Sequence, residues 1–266
     1  MAAVDPPPVN VIRSVWSNNL EDEFSQIRDL IDQYRCISMD TEFPGVIIPL
    51  PPPPIRNPTA YYEHLKSNVN ALKLIQVGIT LVDSSGCRYI WEFNFRDFDM
   101  SRDPHAQSSI KLLRDGGMNF DTMHEFGISV SHFAELMMSS GLVCSDYVTY
   151  VTFHGGYDFG YLIKALTGRN LPETLPEFVD LLRVFFGNRV YDVKIIIKSF
   201  VELHGGLDTV ARLLGIERSV GRQHQAGSDS LLTWLVYENI MARYFGNGAD
   251  EGEMDRFGCV IYGLEN

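Results

Sequence analysis

Short apolar runs of strand length alternate with stretches of helical period along this chain, and their order restricts the fold more than any single motif. Trp16, Leu20, Phe24, Ile27, Leu30, Ile31 and Tyr34 recur at spacings of three and four, which predicts an amphipathic helix over 18–34. The run at 35–42 follows as the first strand. Leu72–Val82 and Arg88–Phe95 are β-rich and are joined by Asp83-Ser84-Ser85-Gly86, a hairpin turn. Helical segments are expected near Gln107–Arg114 and Ser129–Ser139, a buried strand at Val148–Phe153, and a helix at Tyr157–Leu166 stopped by Gly168. Pro176 opens a further helix through Phe186. A short strand at Val190–Val193 then leads into a helix carrying Lys194 and Lys198. Leu207–Leu214 is a helix stopped by Gly215, and the last long helix spans Gln225–Tyr244. This order predicts one α/β domain over residues 10–245, a mixed sheet of about five strands flanked by helices on both faces. The termini, 1–9 and 246–266, are expected to be flexible or loosely docked; Phe257, Val260, Ile261 and Tyr262 are the residues by which the tail would dock.

A hydrophobic content of 45%, with 12% aromatic residues, excludes a disordered chain. No apolar stretch reaches the roughly 18 residues of a membrane span, and Met1–Asn10 lacks the pattern of a secretory signal. Cys36, Cys87, Cys144 and Cys259 are scattered, which fits neither a zinc ribbon nor a disulfide scaffold and suits a reducing compartment. Pro44-Gly45, Pro49 and Pro51 to Pro54 lack the backbone donors a central strand needs. They read as a rigid surface connector or, alternatively, as a polyproline ligand for a partner. The net charge of −12 argues against a broad electrostatic grip on nucleic acid. A nuclease of this composition would gather part of that charge around bound cations and hold only a short stretch of single strand.

The chemistry-bearing residues come in three groups. Asp40 and Glu42 end the first strand and, two residues apart, point to the same side of it. Asp158 opens the helix after the strand at Val148–Phe153. His224 and Asp229 lie around the start of the last helix. Carboxylates from separate elements suffice to bind two divalent ions, the apparatus of phosphodiester cleavage, and an imidazole of ordinary pKa near 6.5 beside them suits a general base. Taken singly, Asp158 reads equally as a helix N-cap and Asp229 as a first-turn acid favoured by the helix dipole. Phe43 is either a base-stacking platform or the packing of its own loop. Lys194 and Lys198, four apart, either face phosphates or form a solvated basic face. Asp192 reads as an extra site carboxylate or, by preference, a structural cap, and His154 as lining the site or, by default, filling the core.

Asp40-Thr41-Glu42-Phe43-Pro44-Gly45, the block Phe153 to Leu162, Tyr191-Asp192-Val193-Lys194, and Gln223-His224-Gln225-Ala226-Gly227-Ser228-Asp229-Ser230-Leu231-Leu232 resemble the CAF-one/POP-two deadenylases. These are DEDD exonucleases with a histidine base and the nuclease subunit of the Ccr-four–Not complex. The resemblance covers roughly residues 10–245. It implies a ribonuclease H-like fold and removal of the poly(A) tail of mRNA, 3′ to 5′, as 5′-AMP, with two Mg2+ or Mn2+ ions. It also implies Asp40, Glu42, Asp158 and Asp229 as metal ligands, His224 as base, a scaffold subunit and a second deadenylase as partners, no membrane, and residence in the cytoplasm, processing bodies included, and the nucleus. A serine usually stands in that family where this chain has Gly155. The same residues on the same fold would also serve a DNA-proofreading or oligoribonucleotide exonuclease, and the acidic charge and proline loop would suit an inactive adaptor.

Overall fold

The computed structural model describes residues 10–50, 57–246 and 254–265; the prolines at 51–54 and the segment 1–9 lie outside them. The sheet has six strands, not about five: β1 (Ile12–Val15), β2 (Cys36–Glu42), β3 (Gln76–Val82), β4 (Arg88–Asn94), β5 (Thr149–Thr152) and β6 (Val190–Asp192), in the order β1-β4-β3-β2-β5-β6. β2, β3 and β4 form an antiparallel meander, while β1 joins β4 in parallel and β5 and β6 extend β2 in parallel. The unexpected strand, β1, carries Arg13 and Ser14 in its four residues and shows no apolar run of its own. Its pairing is with a strand more than seventy positions away, Ile12 opposite Ile90. Trp16 consequently precedes the first helix, α1 (Leu20–Leu30), instead of belonging to it.

Two further helices were not expected. α2 (Pro58–Ala71) starts with Asn57 accepting from Thr59 and Ala60 N–H and with proline in its first turn. It buries His64, Lys66 and Asn68 beside Tyr62, Leu65 and Val69, so its apolar period is broken by polar residues that find partners inside. Residues 72–75 connect it to β3 and are not strand. After α3 (Gln107–Asp115), the short α4 (Phe120–Phe126) is capped by Asn119. α5 (Val130–Met138), α6 (Gly156–Thr167) and α7 (Leu175–Phe186) lie near the expected positions. The segment with Lys194 and Lys198 is only a four-residue α8 (Val193–Ile196) continued by a 3-10 turn at Ile197–Ser199. α9 (Leu207–Leu214) and α10 (Ala226–Ile240) complete the set.

One face of the sheet packs α1, α2, α5, α6 and α7 around Phe24, Trp91, Phe93, Phe133 and Phe159. The other packs α8, α9 and α10 around Val193, Ile196, Val210, Trp234 and Val236. Residues 254–265 do not fray: Met254, Phe257, Ile261 and Leu264 are buried, and the tail lies over the β6 edge.

β2 alternates as its sequence requires. Ile37 and Met39 face the α6 layer, whereas Ser38 donates its hydroxyl to Ser230 O of α10. Asp40 and Glu42 continue on the α10 side. β5 pairs β2 only as far as Ser38, so β2 runs on past its parallel neighbour and opens a cleft at that corner.

Candidate active site

The cleft, of about 370 Å³, is lined by Asp40, Thr41 and Glu42 from β2, Phe153 after β5, Asp208 and Thr209 from α9, and Gln223, His224 and Asp229 from the approach to and first turn of α10. Asp158 enters from the first turn of α6 below the strand end. Thr41 donates both its N–H (2.8 Å) and its hydroxyl (2.6 Å) to Asp158 Oδ1, so a strand amide beyond the reach of β5 is satisfied by a helix carboxylate. Asp158 is therefore not the cap of its own helix; that position is Gly155.

The start of α10 sits on the sheet at unusually close range. A Cβ on Gly78 of β3 would lie 1.8 Å from Ala226 O, so only a glycine admits this contact. The open amides of the helix end are met by sheet side chains: Gln76 Oε1 accepts from Ala226 N and Glu92 Oε2 from Gly227 N, each at 3.3 Å. His224 has a φ of +63°, uncommon outside glycine, and its N–H donates to Asp229 Oδ2 at 2.9 Å. The acid thus fixes the loop that presents the imidazole. His224 Nδ1 stands 4.0 Å from Glu42 Oε1, and donor atoms of Glu42, His224 and Asp229 all fall within 4.8 Å of one another.

Arg218 closes one side. It pairs with Asp229 Oδ1 (2.6 Å) and Asp208 Oδ1 (2.8 Å) and donates to Ser228 Oγ, tying α9 to α10. Burial, and then the neighbouring acids, hold Asp40 and Glu42 well above the ordinary carboxylate range. Burial pushes Asp158 up to about 7 against the opposing Thr41 hydrogen bonds. Asp229 is also raised by burial, with Arg218 opposing. Desolvated carboxylates from three elements beside an imidazole suit hard divalent cations, whose charge relieves the repulsion.

The structure thus brings Asp40, Glu42, Asp158, His224 and Asp229 to one corner. It does not bring Phe43 there. That ring stacks on Tyr157 (5.0 Å) and packs against Tyr161 (4.9 Å) of α6, so it anchors the loop; the aromatic residue in the cleft is Phe153. Lys194 and Lys198 lie outside the cleft lining, beside it. His154, expected in the core, is exposed. Asp192 is fully buried and accepts from the N–H groups of His154, Gly155, Lys194 and Tyr262. Arg218, Asp208, Gln76 and Glu92 were missed. Arg218 sits in an irregular loop without periodic signal, and the other three read as ordinary members of a helix or strand.

Residues 15–136 match the CAF1 family ribonuclease. The probable CCR4-associated factor 1 homolog 7 of Arabidopsis thaliana is 48% identical over 263 residues, 95% of this chain and 93% of that protein. The poly(A) ribonuclease pop2 of Schizosaccharomyces pombe is 42% identical over 96% of this chain and 76% of its own length. Among solved structures, S. pombe Pop2p with Mg2+ and Mn2+ bound superposes with a TM-score of 0.86 at 42% identity, over 96% of this chain and 100% of that one. A chain of the yeast crystal of the NOT1 MIF4G domain with CAF1 gives 0.77 at 31%, over 96% and 99%. E. coli exonuclease I, 13% identical with a TM-score of 0.54 over 79% and 41%, shares the fold alone. The ribonuclease H-like sheet expected above is the one these chains have in common.

Proposed function

The chain belongs to the CAF1 family of ribonucleases, and on that premise we propose that it is the metal-dependent exoribonuclease that shortens the poly(A) tail of mRNA from its 3′ end, releasing 5′-AMP. The observation that carries this is the convergence of Asp40, Glu42, Asp229 and His224 on one cleft at the end of β2, with Asp158 buried beside it and held to the same strand end by Thr41. Those four carboxylates would hold two Mg2+ or Mn2+ ions, which when bound supply positive charge against the phosphodiester and its leaving oxygen. Asp229 aims His224 through the backbone N–H, and Glu42 faces the ring from across the cleft. His224, half exposed at the mouth, accepts the proton of the attacking water, a role whose loss typically costs ~10²–10⁴ in rate. The cleft's small volume suits a single terminal nucleotide, in keeping with exonucleolytic cleavage. The protein works within a CCR4–NOT assembly, on a NOT1-type scaffold and beside a second deadenylase.

Purified protein with 5′-labelled poly(A) should shorten it stepwise in Mg2+ or Mn2+ and stop on addition of EDTA. Poly(U) and single-stranded DNA should be poorer substrates. Activity undiminished by EDTA, or none with either ion, would overturn the reading. Equal rates on DNA would favour the proofreading alternative.

A further inference from the structure

Beside the cleft, toward β6, two lysines share one aromatic ring contributed by the far end of the chain. Lys198 Nζ stands 4.5 Å and Lys194 Nζ 5.8 Å from the ring centroid of Tyr262. Lys194 also lies 5.5 Å over the ring of Phe153, which lines the cleft, so the pair is continuous with the site. The arrangement is registered against the catalytic carboxylates. Tyr262 N donates to Asp192 Oδ2 (3.0 Å), and the same buried carboxylate holds His154 N and Gly155 N, the entry to the helix that carries Asp158. Glu265, three residues beyond Tyr262, forms an ion pair with Lys198.

Paired ammonium groups on an aromatic shelf, opening from a phosphodiesterase cleft, are the chemistry of a single-strand phosphate subsite. In a chain of net charge −12, such a local pair can hold RNA without a broad basic surface. The carboxylate already on Lys198 is then an internal anion at the substrate's place. We propose that Lys194, Lys198 and Tyr262 form a subsite for a backbone phosphate upstream of the cleaved bond, and that Glu265 occupies Lys198 until that phosphate displaces it. Lys194 keeps its register because it donates to Gly205 O, leaving its other N–H groups for the strand. The proposal rests on the exoribonuclease reading of the cleft.

The test compares KM and kcat for a ten-residue oligo(A) with those for the dinucleotide ApA, which is too short to reach the subsite. Lys198→Gln should raise KM for the ten-mer about tenfold, the size of a lost charge-assisted phosphate contact, with a much smaller effect on ApA. Tyr262→Leu should act in the same direction and Tyr262→Phe should not, since only the ring is needed. Glu265→Gln should lower KM for the ten-mer severalfold and have no further effect once Lys198 is Gln. Shifts equal for both substrates, or a ten-mer KM indifferent to Glu265→Gln, would overturn the proposal while leaving the activity standing. A wild-type protein inactive with Mg2+ and Mn2+ would remove both.

Discussion

Asp40, Glu42, Asp158 and Asp229 hold their protons more tightly in the folded chain than in the unfolded one, because burial removes water and the neighbouring acids add like charge. For Asp158 the stabilisation this brings is complete below its ordinary pKa of 3.8 and is lost as pH rises through about 7. The metal-free protein should therefore lose melting temperature from this source across the mildly acidic range, and the gain on adding Mn2+ should grow with pH. Differential scanning fluorimetry at several pH values checks it; a Mn2+ shift that shrinks toward alkaline pH would contradict it. A second residue-scale case is Gly155, the position where the family resemblance led to the expectation of a serine. A Cβ there would lie 2.2 Å from Thr152 Oγ1 and 2.7 Å from its Cβ. Gly155→Ser should cost ~1–3 kcal/mol in denaturant unfolding, and Thr152→Ala in the same chain should recover only part of it, because alanine keeps the Cβ at 2.7 Å. The glycine is thus matched to its own neighbour.

At the scale of elements, the catalytic geometry depends on how α10 lands on the sheet. Gly78→Ala would drive a methyl into the backbone of Ala226 and lift the helix start that carries Asp229. The variant should lose stability by at least ~1–3 kcal/mol, and kcat should fall as much as ~10²-fold, the cost of an ångström's misplacement. A variant with unchanged kcat would show that the contact is not positional. Asp40, Glu42, Asp158, His224 and Asp229 were legible because each sits at the end of an element whose type could be read from local pattern. Their supports were not. Gln76, Glu92 and Gly78 look like any strand residues until α10 is laid across them, and Arg218 acquires meaning only when α9 and α10 meet. α2 was missed because its buried face includes Asn68 and His64, which hydrogen-bond to Ile48 O and so pass as surface residues in a periodicity reading. The two readings of Phe43 stayed open in the sequence because the partners its ring packs on, Tyr157 and Tyr161, are more than a hundred positions away.

For the whole molecule, the acidic balance and a nuclease fold are reconciled by locality. If the lysine pair grips one backbone phosphate, the slope of log KM against log salt should be ~0.7, the value for one phosphate neutralised on a single strand. A slope several times steeper would require a basic surface elsewhere. The layered α/β architecture was readable from element order, and its sixth strand was not, because four residues with a charge among them carry no pattern apart from their partner. That edge strand reaches further than its size suggests. Ile12 of β1 packs with its branched end about where side chains on Gly221 and Gly227 would begin, at 3.0 and 2.9 Å, and those glycines bracket His224. The match to the family begins only at residue 15. Trimming the chain to that boundary would remove the wedge and let the histidine loop relax, so the shortened protein should keep much of its helical circular dichroism yet turn over poorly. An apparently dispensable edge strand is, in this fold, the doorstop of the histidine loop.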